Sequence, residues 1–282
     1  MIARKPYSRA FAHVLLLLGV LVVAFPIYYV FVASTHSLEA ILKPPLPLLP
    51  GDEFITNYHE ALFDGIARIG GVGVGTLLLN TTIVALGIAI GKIIISIMSA
   101  YAIVFFRFPL RMVFFWIIFI TLMLPVEVRI LPTYKVMVDL NLIDTYAGLI
   151  VPLIASATAT LLFRQSFMTI PNELVEAARI DGAGPWRFFK DILLPLSATN
   201  ITALFVILFI YGWTQYLWPL LMTNSNSMNT IVIALRKMIS FADADTQWHL
   251  VMVTCILAIL PPILVVVLMQ RWFVKGLVES EK

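Results

Sequence analysis

Residues 171–195 read PNELVEAARIDGAGPWRFFKDILLP, and this charged stretch lies between two long apolar runs. Pro171 is well suited to the first turn of a helix. Glu173 and Glu176 follow in the early turns, where the helix dipole favours anions. Gly182 is a typical helix stop. The stretch therefore predicts a short helix that ends at Gly182.

A second helix is predicted to begin at Pro185. Its apolar stripe would consist of Trp186, Phe189, Ile192 and Leu193. Residues 171–195 would thus form two short helices at an angle, lying against a membrane. The plainer interpretation is a structured connection with a solvated outer face.

The composition indicates an integral membrane protein. Of the 282 residues, 61% are hydrophobic and 12% are charged, whereas soluble domains are about half apolar and about a quarter charged. The single cysteine excludes a disulfide within the chain. The net charge of +3 does not indicate nucleic-acid binding, because the basic residues are scattered over short loops.

We predict an all-α protein with six membrane spans, each close to the roughly 20 residues that a bilayer requires. The predicted spans are 12–34, 76–104, 112–131, 145–163, 200–222 and 250–273. The first is too long for the apolar part of a signal peptide. The chain would then have three parts. Residues 1–75 would contain an N-terminal cytoplasmic tail, the first span and an extended periplasmic loop. Residues 76–273 would form a permease core of five spans, and residues 274–282 a cytoplasmic tail.

The positive-inside rule orients the chain. With the N-terminus inside, twelve of the 19 Lys and Arg residues fall on inner segments and six on outer ones. We therefore expect both termini in the cytoplasm of a bacterial cell, with the chain in its inner membrane.

The spacing in residues 171–195 resembles a known motif. Glu176-Ala177-Ala178 is followed after three residues by Gly182 and after nine more by Ile192, with Leu194-Pro195 closing the pattern. It resembles the EAA loop of binding-protein-dependent ABC permeases, and it lies between the expected pair of spans. The six-span layout is similar to the MalG-type subunits of carbohydrate importers.

Other stretches resemble the permeases of sn-glycerol-3-phosphate importers. They are FRFPLR at 106–111, IFITLMLPVEVR at 118–129, YGWTQYLWP at 211–219 and GLVESEK at 276–282. This resemblance implies uptake of sn-glycerol-3-phosphate, with glycerophosphodiesters as further substrates. It also implies a UgpA-like second permease, a dimer of UgpC-like ATPases and a UgpB-like periplasmic binding protein, with membrane lipid around the spans.

The same resemblance implies that Glu176, Ala177, Ala178 and Gly182 couple the chain to the ATPase. We find no nucleotide site in the sequence: around Gly87 and Gly91 the P-loop spacing is one residue short, and Ile93 replaces the Ser or Thr. The four histidines lack metal-ligand spacing. We therefore expect no enzyme, cofactor or metal in this chain, and ATP hydrolysis on a partner.

Lys92, Arg129 and Gln215 are the candidate residues of the substrate path. Polar and charged groups within spans are costly and often functional. Trp213 and Trp218 are more typical of an aromatic belt at the membrane interface. By family position, the loop after the fifth span, 223–249, is expected to face the binding protein.

Lys92 lies near the middle of the second span, too deep for its stem to reach the surface. Three explanations remain open: pairing with the second permease, a neutral amine kept so by burial, or a place on the path that attracts the phosphate of an anionic substrate.

Two other functions stay in view. The first is a permease for a sugar or an oligosaccharide. The second is an ion-coupled secondary transporter, which would need embedded acidic groups or broken inverted repeats. The spans offer little of either.

Overall fold

A computed structural model describes the backbone of residues 6–121, 126–239 and 246–279, and the side chains of 11–121, 128–239 and 246–270. No strand occurs within these ranges, which agrees with the predicted all-α class. The α-helices of the first half of the chain are α1 (Pro6–Ser34), α2 (Leu38–Leu42), α3 (Phe54–His59), α4 (Val74–Phe105), α5 (Arg111–Ile120), α6 (Val126–Asp139), α7 (Tyr146–Ile150) and α8 (Ala157–Met168).

The second half of the chain continues in the same way. Its helices are α9 (Asn172–Ile180), α10 (Pro185–Phe188), α11 (Leu194–Leu196), α12 (Ala198–Trp213), α13 (Leu217–Met222), α14 (Ile231–Met238) and α15 (Trp248–Glu279). Short turns of 3₁₀ helix occur at Ala67–Ile69, Val151–Leu153 and Asn226–Met228, and turns of π helix at Glu60–Asp64 and Phe189–Leu193.

Within the described ranges, three helices are long and apolar enough to cross a membrane: Phe11–Ser34, Val74–Phe105 and Trp248–Gln270. Two bent pairs, Tyr146–Leu153 with Ala157–Met168 and Pro185–Leu196 with Ala198–Trp213, would raise the number to five. The predicted span 112–131 includes residues outside the described ranges, and α5 has only 10 residues. The six-span arrangement therefore stays a prediction.

The chain divides into two compact units. The first comprises Met1–Leu78 and Ala234–Leu260. Within it, the segment after α1 is not extended as we predicted, because much of it is helical. Its periplasmic location stays a prediction. The buried Asn57 side chain donates to the carbonyls of Ser34 and His36, both at 3.0 Å, and so holds α3 against the end of α1.

The second unit comprises Leu79–Ile233 and Pro261–Lys282. Its core contains Val84, Ile88, Ile130, Met137, Leu149, Leu153, Trp218 and Met222. Two glycines of α4 allow the bent pair α7–α8 to approach closely. A Cβ on Gly87 would lie 2.6 Å from the Ile150 side chain, and one on Gly91 would lie 2.5 Å from Ile154. Gly87 and Gly91, whose spacing is one residue short of a P-loop, are therefore explained by helix packing.

Two predicted spans are broken. The span at 145–163 bends by 48° between α7 and α8. The span at 200–222 stops at Trp213, and α13 begins only at Leu217. Its tryptophans do not form the expected belt, because Trp213 and Trp218 are only 3% and 4% exposed. The Trp218 indole donates to the Gly148 carbonyl at 3.2 Å, so burial comes with a satisfied hydrogen bond.

Candidate functional site

A cavity of about 440 Å³ in the second unit contains two of the predicted path residues. The lining residues are Lys92, Ile95, Ser99, Ile117, Ile118, Thr121, Arg129, Ala155, Ser156, Ala157, Thr158, Thr160 and Tyr211. They come from α4, α5, α6, α12 and the start of α8. Lys92 and Arg129, which are 37 positions apart in the sequence, thus line the same cavity.

Lys92 is 7% exposed, and its amine lies 3.7 Å from the centroid of the Tyr211 ring. A desolvated cation over an aromatic face is stabilised by roughly 2 kcal/mol. Within the described side chains, no carboxylate forms an ion pair with Lys92. The side chain of Glu127, two residues before Arg129, lies outside the described ranges.

Arg129 adds a second positive charge to the cavity, and it too forms no ion pair with a described carboxylate. Two cations near each other in a partly apolar space repel, and an anion placed between them would relieve that repulsion. The hydroxyls of Ser99 and Thr121 donate to the carbonyls of Ile95 and Ile118 and keep lone pairs that can accept, and Thr158 adds a third hydroxyl to the lining. The cavity is therefore suited to a small anion that also carries hydroxyl groups.

The break between α7 and α8 forms part of the same cavity. The Ser156 hydroxyl accepts from the Ala159 amide at 3.3 Å and caps α8. The Ser156 carbonyl accepts from the Ser96 hydroxyl of α4 at 3.2 Å and from the Thr160 hydroxyl at 2.9 Å. These bonds fix the first turn of α8 beside α4, with Lys92 four residues before Ser96 on that helix.

Gln215 does not reach this cavity. Its side-chain amide donates to the Tyr211 carbonyl at 3.1 Å, one turn back along the chain. Sequence reasoning chose Gln215 because an amide within an apolar run is unusual, but it missed Tyr211, Ser156 and Thr158. Serine and threonine at a helix start are common capping residues, and nothing in a single sequence marks this helix start as lying beside Lys92.

The predicted two-helix loop is present as local structure. Helix α9 follows Pro171, which occupies the N-cap position, and stops before Gly182, whose φ is +71°. Pro185 opens α10 as expected. Trp186 is 66% exposed, whereas its neighbour Phe188 is buried. The π-helical turn at Phe189–Leu193 is wider than an α-helical turn, which shifts the predicted apolar stripe.

The residues that we predicted to couple the chain to an ATPase have different environments. Glu176 and Ala177 are exposed, and Ala178 is buried. Ala178 lines a second cavity of about 520 Å³ together with Tyr101, Phe105, Phe106, Arg107, Val175, Arg179, Ala183, Pro185 and Phe188. Glu176 and Ala177 therefore lie on the exposed side of α9, while Ala178 packs inward.

Tyr101 joins the loop to α4. Its hydroxyl donates to the Pro185 carbonyl at 2.7 Å, and its ring lies 5.0 Å from that of Phe189. Lys92 and Tyr101 belong to the same continuous helix. Helix α4 therefore contacts the loop through Tyr101 and also lines the cavity through Lys92.

The chain is similar to known transport proteins over its whole length. The permease protein UgpE of the sn-glycerol-3-phosphate transport system from Brucella melitensis is 70% identical over 282 residues, the whole of both chains. The protein of that name from Rhizobium meliloti is 69% identical over the same length, and that from Yersinia pestis is 57% identical.

A solved structure shares the fold. It is the crystal structure of a bacterial ABC transporter involved in the import of the acidic polysaccharide alginate, with a TM-score of 0.80 and 24% identity. The match covers 97% of this chain and all of that one.

Residues 92–279 match the family described as binding-protein-dependent transport system inner membrane component. That range holds the cationic cavity and the loop that follows Pro171. The chain belongs to this family of membrane permeases.

Proposed function

We propose that this chain is a permease subunit of an ATP-driven importer that carries sn-glycerol-3-phosphate across the bacterial inner membrane. The full-length identity of 70% to a permease named for that transport system supports the substrate. The observation that carries the proposal is the cavity with Lys92 and Arg129, in which no described carboxylate pairs with either cation. Phosphate is the part of the substrate that such a cavity would recognise.

The proposed assembly has four kinds of subunit. This chain would pair with a UgpA-like permease and would dock on a dimer of UgpC-like ATPases through Glu176, Ala177 and Gly182, with Ala178 supporting α9 from inside. A UgpB-like binding protein would deliver the substrate at the outer face. All ATP chemistry would belong to the ATPases, and this chain would hold no cofactor.

The proposed cycle uses α4 as its lever. ATP binding would bring the ATPases together and move α9, and the contact between Tyr101 and Pro185 would pass that movement to α4. The cavity around Lys92 would then open outward to receive the phosphate, and hydrolysis would reset the state that faces inward. ATP can shift this equilibrium only because the ATPases prefer one conformation of the loop.

The charge of the cavity favours some of the alternative substrates over others. A neutral sugar would leave Lys92 and Arg129 without a counter-charge, so an anionic substrate fits better. Glycerophosphodiesters carry a phosphate with one charge and would be weaker substrates of the same site. An ion-coupled transporter of the same substrate would differ in its energy source.

The proposal is tested by finding out whether ATP or an ion gradient drives uptake. A strain that lacks its own permeases of this type would express the chain with its neighbouring transport subunits, and uptake of labelled sn-glycerol-3-phosphate would be followed. We expect ATP depletion to abolish uptake and an uncoupler, with ATP maintained, to leave most of it. Loss of uptake with the uncoupler at constant ATP would support a symporter and overturn the proposal.

A further inference from the structure

We infer that the break between α7 and α8 is a phosphate-binding element of the permease, in which the backbone amides of Ala157 and Thr158 act together with Lys92 and Arg129. This inference rests on the proposed function and deepens it. It places part of the selection for phosphomonoesters within the membrane subunit, in addition to the external binding protein.

The first observation is the state of the amides at the start of α8. Helix α8 spans 12 residues, and its first amides have no partner one turn earlier. The Ser156 hydroxyl satisfies the amide of Ala159, and the Ser156 carbonyl satisfies that of Thr160. Across the described residues, the amides of Ala157 and Thr158 make no hydrogen bond, and both residues line the cavity. Two free donors at the positive end of a helix favour an anion.

The second observation is independent of the helix end. Lys92 is more than nine-tenths buried and lines the same cavity, and its amine lies 3.7 Å from the centroid of the Tyr211 ring. Within the described part of the chain it has neither a carboxylate nor a hydrogen-bond acceptor. A buried ammonium in this state lacks a counter-charge, and the open helix end beside it leaves room for one.

Close packing brings the two features together. Gly91 precedes Lys92, and a Cβ there would lie 2.5 Å from Ile154. Only a residue without a side chain allows α4 to lie this close to the break. Arg129 completes the set from α6. The arrangement thus combines two cations with two amides, which suits the oxygens of a doubly charged phosphate.

The first test removes one amide without breaking the helix. Ala157 is the first residue of α8, where proline fits, and Ser156 before it has extended backbone, with φ −145° and ψ 105°, close to the conformation that proline favours in the residue before it. Ala157→Pro deletes the N–H, and Ala157→Val is the control of similar size that keeps it. In proteoliposomes with the complete importer and saturating loaded binding protein, we expect Ala157→Pro to transport sn-glycerol-3-phosphate roughly tenfold more slowly than Ala157→Val.

A second pair of variants, at Thr158, tests the same element without introducing a proline. Thr158 is the second residue of α8, and an acidic side chain there favours the helix dipole. Thr158→Glu would place its own carboxylate on the cations of the cavity, and Thr158→Gln has nearly the same shape without the charge. We expect Thr158→Glu to lose most uptake while the assembled complex stays as stable to heat as that of Thr158→Gln.

Each result has a separate meaning. If the wild-type importer does not transport sn-glycerol-3-phosphate, the proposed function fails. If the wild type transports it, and both Ala157→Pro and Thr158→Glu match their controls, the phosphate element is wrong and the function stands. A loss in Thr158→Glu alone, with Ala157→Pro equal to Ala157→Val, would overturn the role of the amide at 157.

Discussion

Lys92 shows how a single residue can reveal a site. A lysine at the centre of a membrane helix costs roughly 2.5–3.5 kcal/mol on insertion scales. Its contact with the Tyr211 ring, worth roughly 2 kcal/mol, offsets only part of that cost. Keeping the charge there therefore requires a further benefit, and binding an anionic substrate supplies one.

Replacement of Lys92 tests this interpretation. Lys92→Met keeps most of the length of the side chain and removes the charge, so we expect normal assembly and an uptake of sn-glycerol-3-phosphate reduced roughly tenfold or more. Lys135→Met, on the exposed side of α6, is the control and should transport normally. If Lys92→Met prevents co-purification of the two permeases, the residue pairs with the partner subunit. Normal uptake by an assembled Lys92→Met complex would exclude the path role.

The Asp144 side chain anchors the loop after α13. Its carboxylate accepts from the amides of Asn224 and Ser225 at 3.1 and 3.2 Å. Burial acts to raise the pKa of Asp144, but the hydrogen bonds from Ser225 and Asn224 outweigh it and hold the pKa below its ordinary value. A carboxyl with a lowered pKa stabilises the folded loop above its unfolded pKa of about 3.9 and loses that effect as the pH falls through the lowered value.

We therefore expect Asp144→Ala to speed hydrogen exchange at the amides of Asn224 and Ser225 by roughly tenfold at neutral pH. In the wild type, the same protection should be lost only in acid, below about pH 4. Exchange measured by mass spectrometry on peptides covering 223–230 would show this. Equal exchange in the two proteins would mean that the carboxylate does not hold the loop.

Single residues also mark the limits of sequence reasoning. Lys92 and Arg129 could be identified because a charge in an apolar run stands out. Tyr211, Ser156 and Thr158 could not, because aromatic and hydroxyl residues are common in membrane helices and only the fold brings these three to one cavity. Trp213 and Trp218 looked like lipid-facing anchors, since composition does not distinguish an aromatic at the membrane surface from one in the core.

Among the helices, those of the loop after Pro171 were the most predictable. Proline and glycine act locally, so Pro171, Gly182 and Pro185 set the boundaries of α9 and α10 almost unaided. The breaks at 154–156 and 214–216 were not predicted, because apolar composition continues through them. They depend on tertiary contacts, such as the Ser96 hydroxyl on the Ser156 carbonyl.

The glycine at the end of α9 provides a prediction at this scale. A Cβ at Gly182 or at Gly184 would meet nothing within 4 Å, but only Gly182 has a positive φ, +71°. Gly182→Ala should therefore strain the loop by roughly 1 kcal/mol or more, and Gly184→Ala should not. We expect Gly182→Ala to weaken, and Gly182→Pro to abolish, co-purification of the ATPase, with Gly184→Ala as the matched control.

Charge reversal tests the same contact from the exposed side of α9. Glu176→Lys should leave the protein inserted and reduce both ATPase co-purification and uptake, because Glu176 faces outward. Normal coupling in both Glu176→Lys and Gly182→Pro would show that the loop is a passive connection between spans.

For the whole molecule, the length and apolar character of three helices support membrane insertion, and the orientation rests on the distribution of Lys and Arg. A reporter fused after Lys282 should be active in the cytoplasm, and one inserted near Gly51 should be active in the periplasm. Reporters on the same side would contradict the six-span arrangement with both termini inside.

The most direct measurement of the central claim is transport by the purified importer. Proteoliposomes would contain this chain with its partner permease and the ATPases, with the binding protein outside and ATP inside. We predict accumulation of labelled sn-glycerol-3-phosphate that requires ATP and the binding protein, is strongly reduced by Lys92→Met, and exceeds uptake of a maltose-like sugar. Uptake of the neutral sugar in preference to the phosphate, or equal phosphate uptake by the wild type and Lys92→Met, would contradict the account.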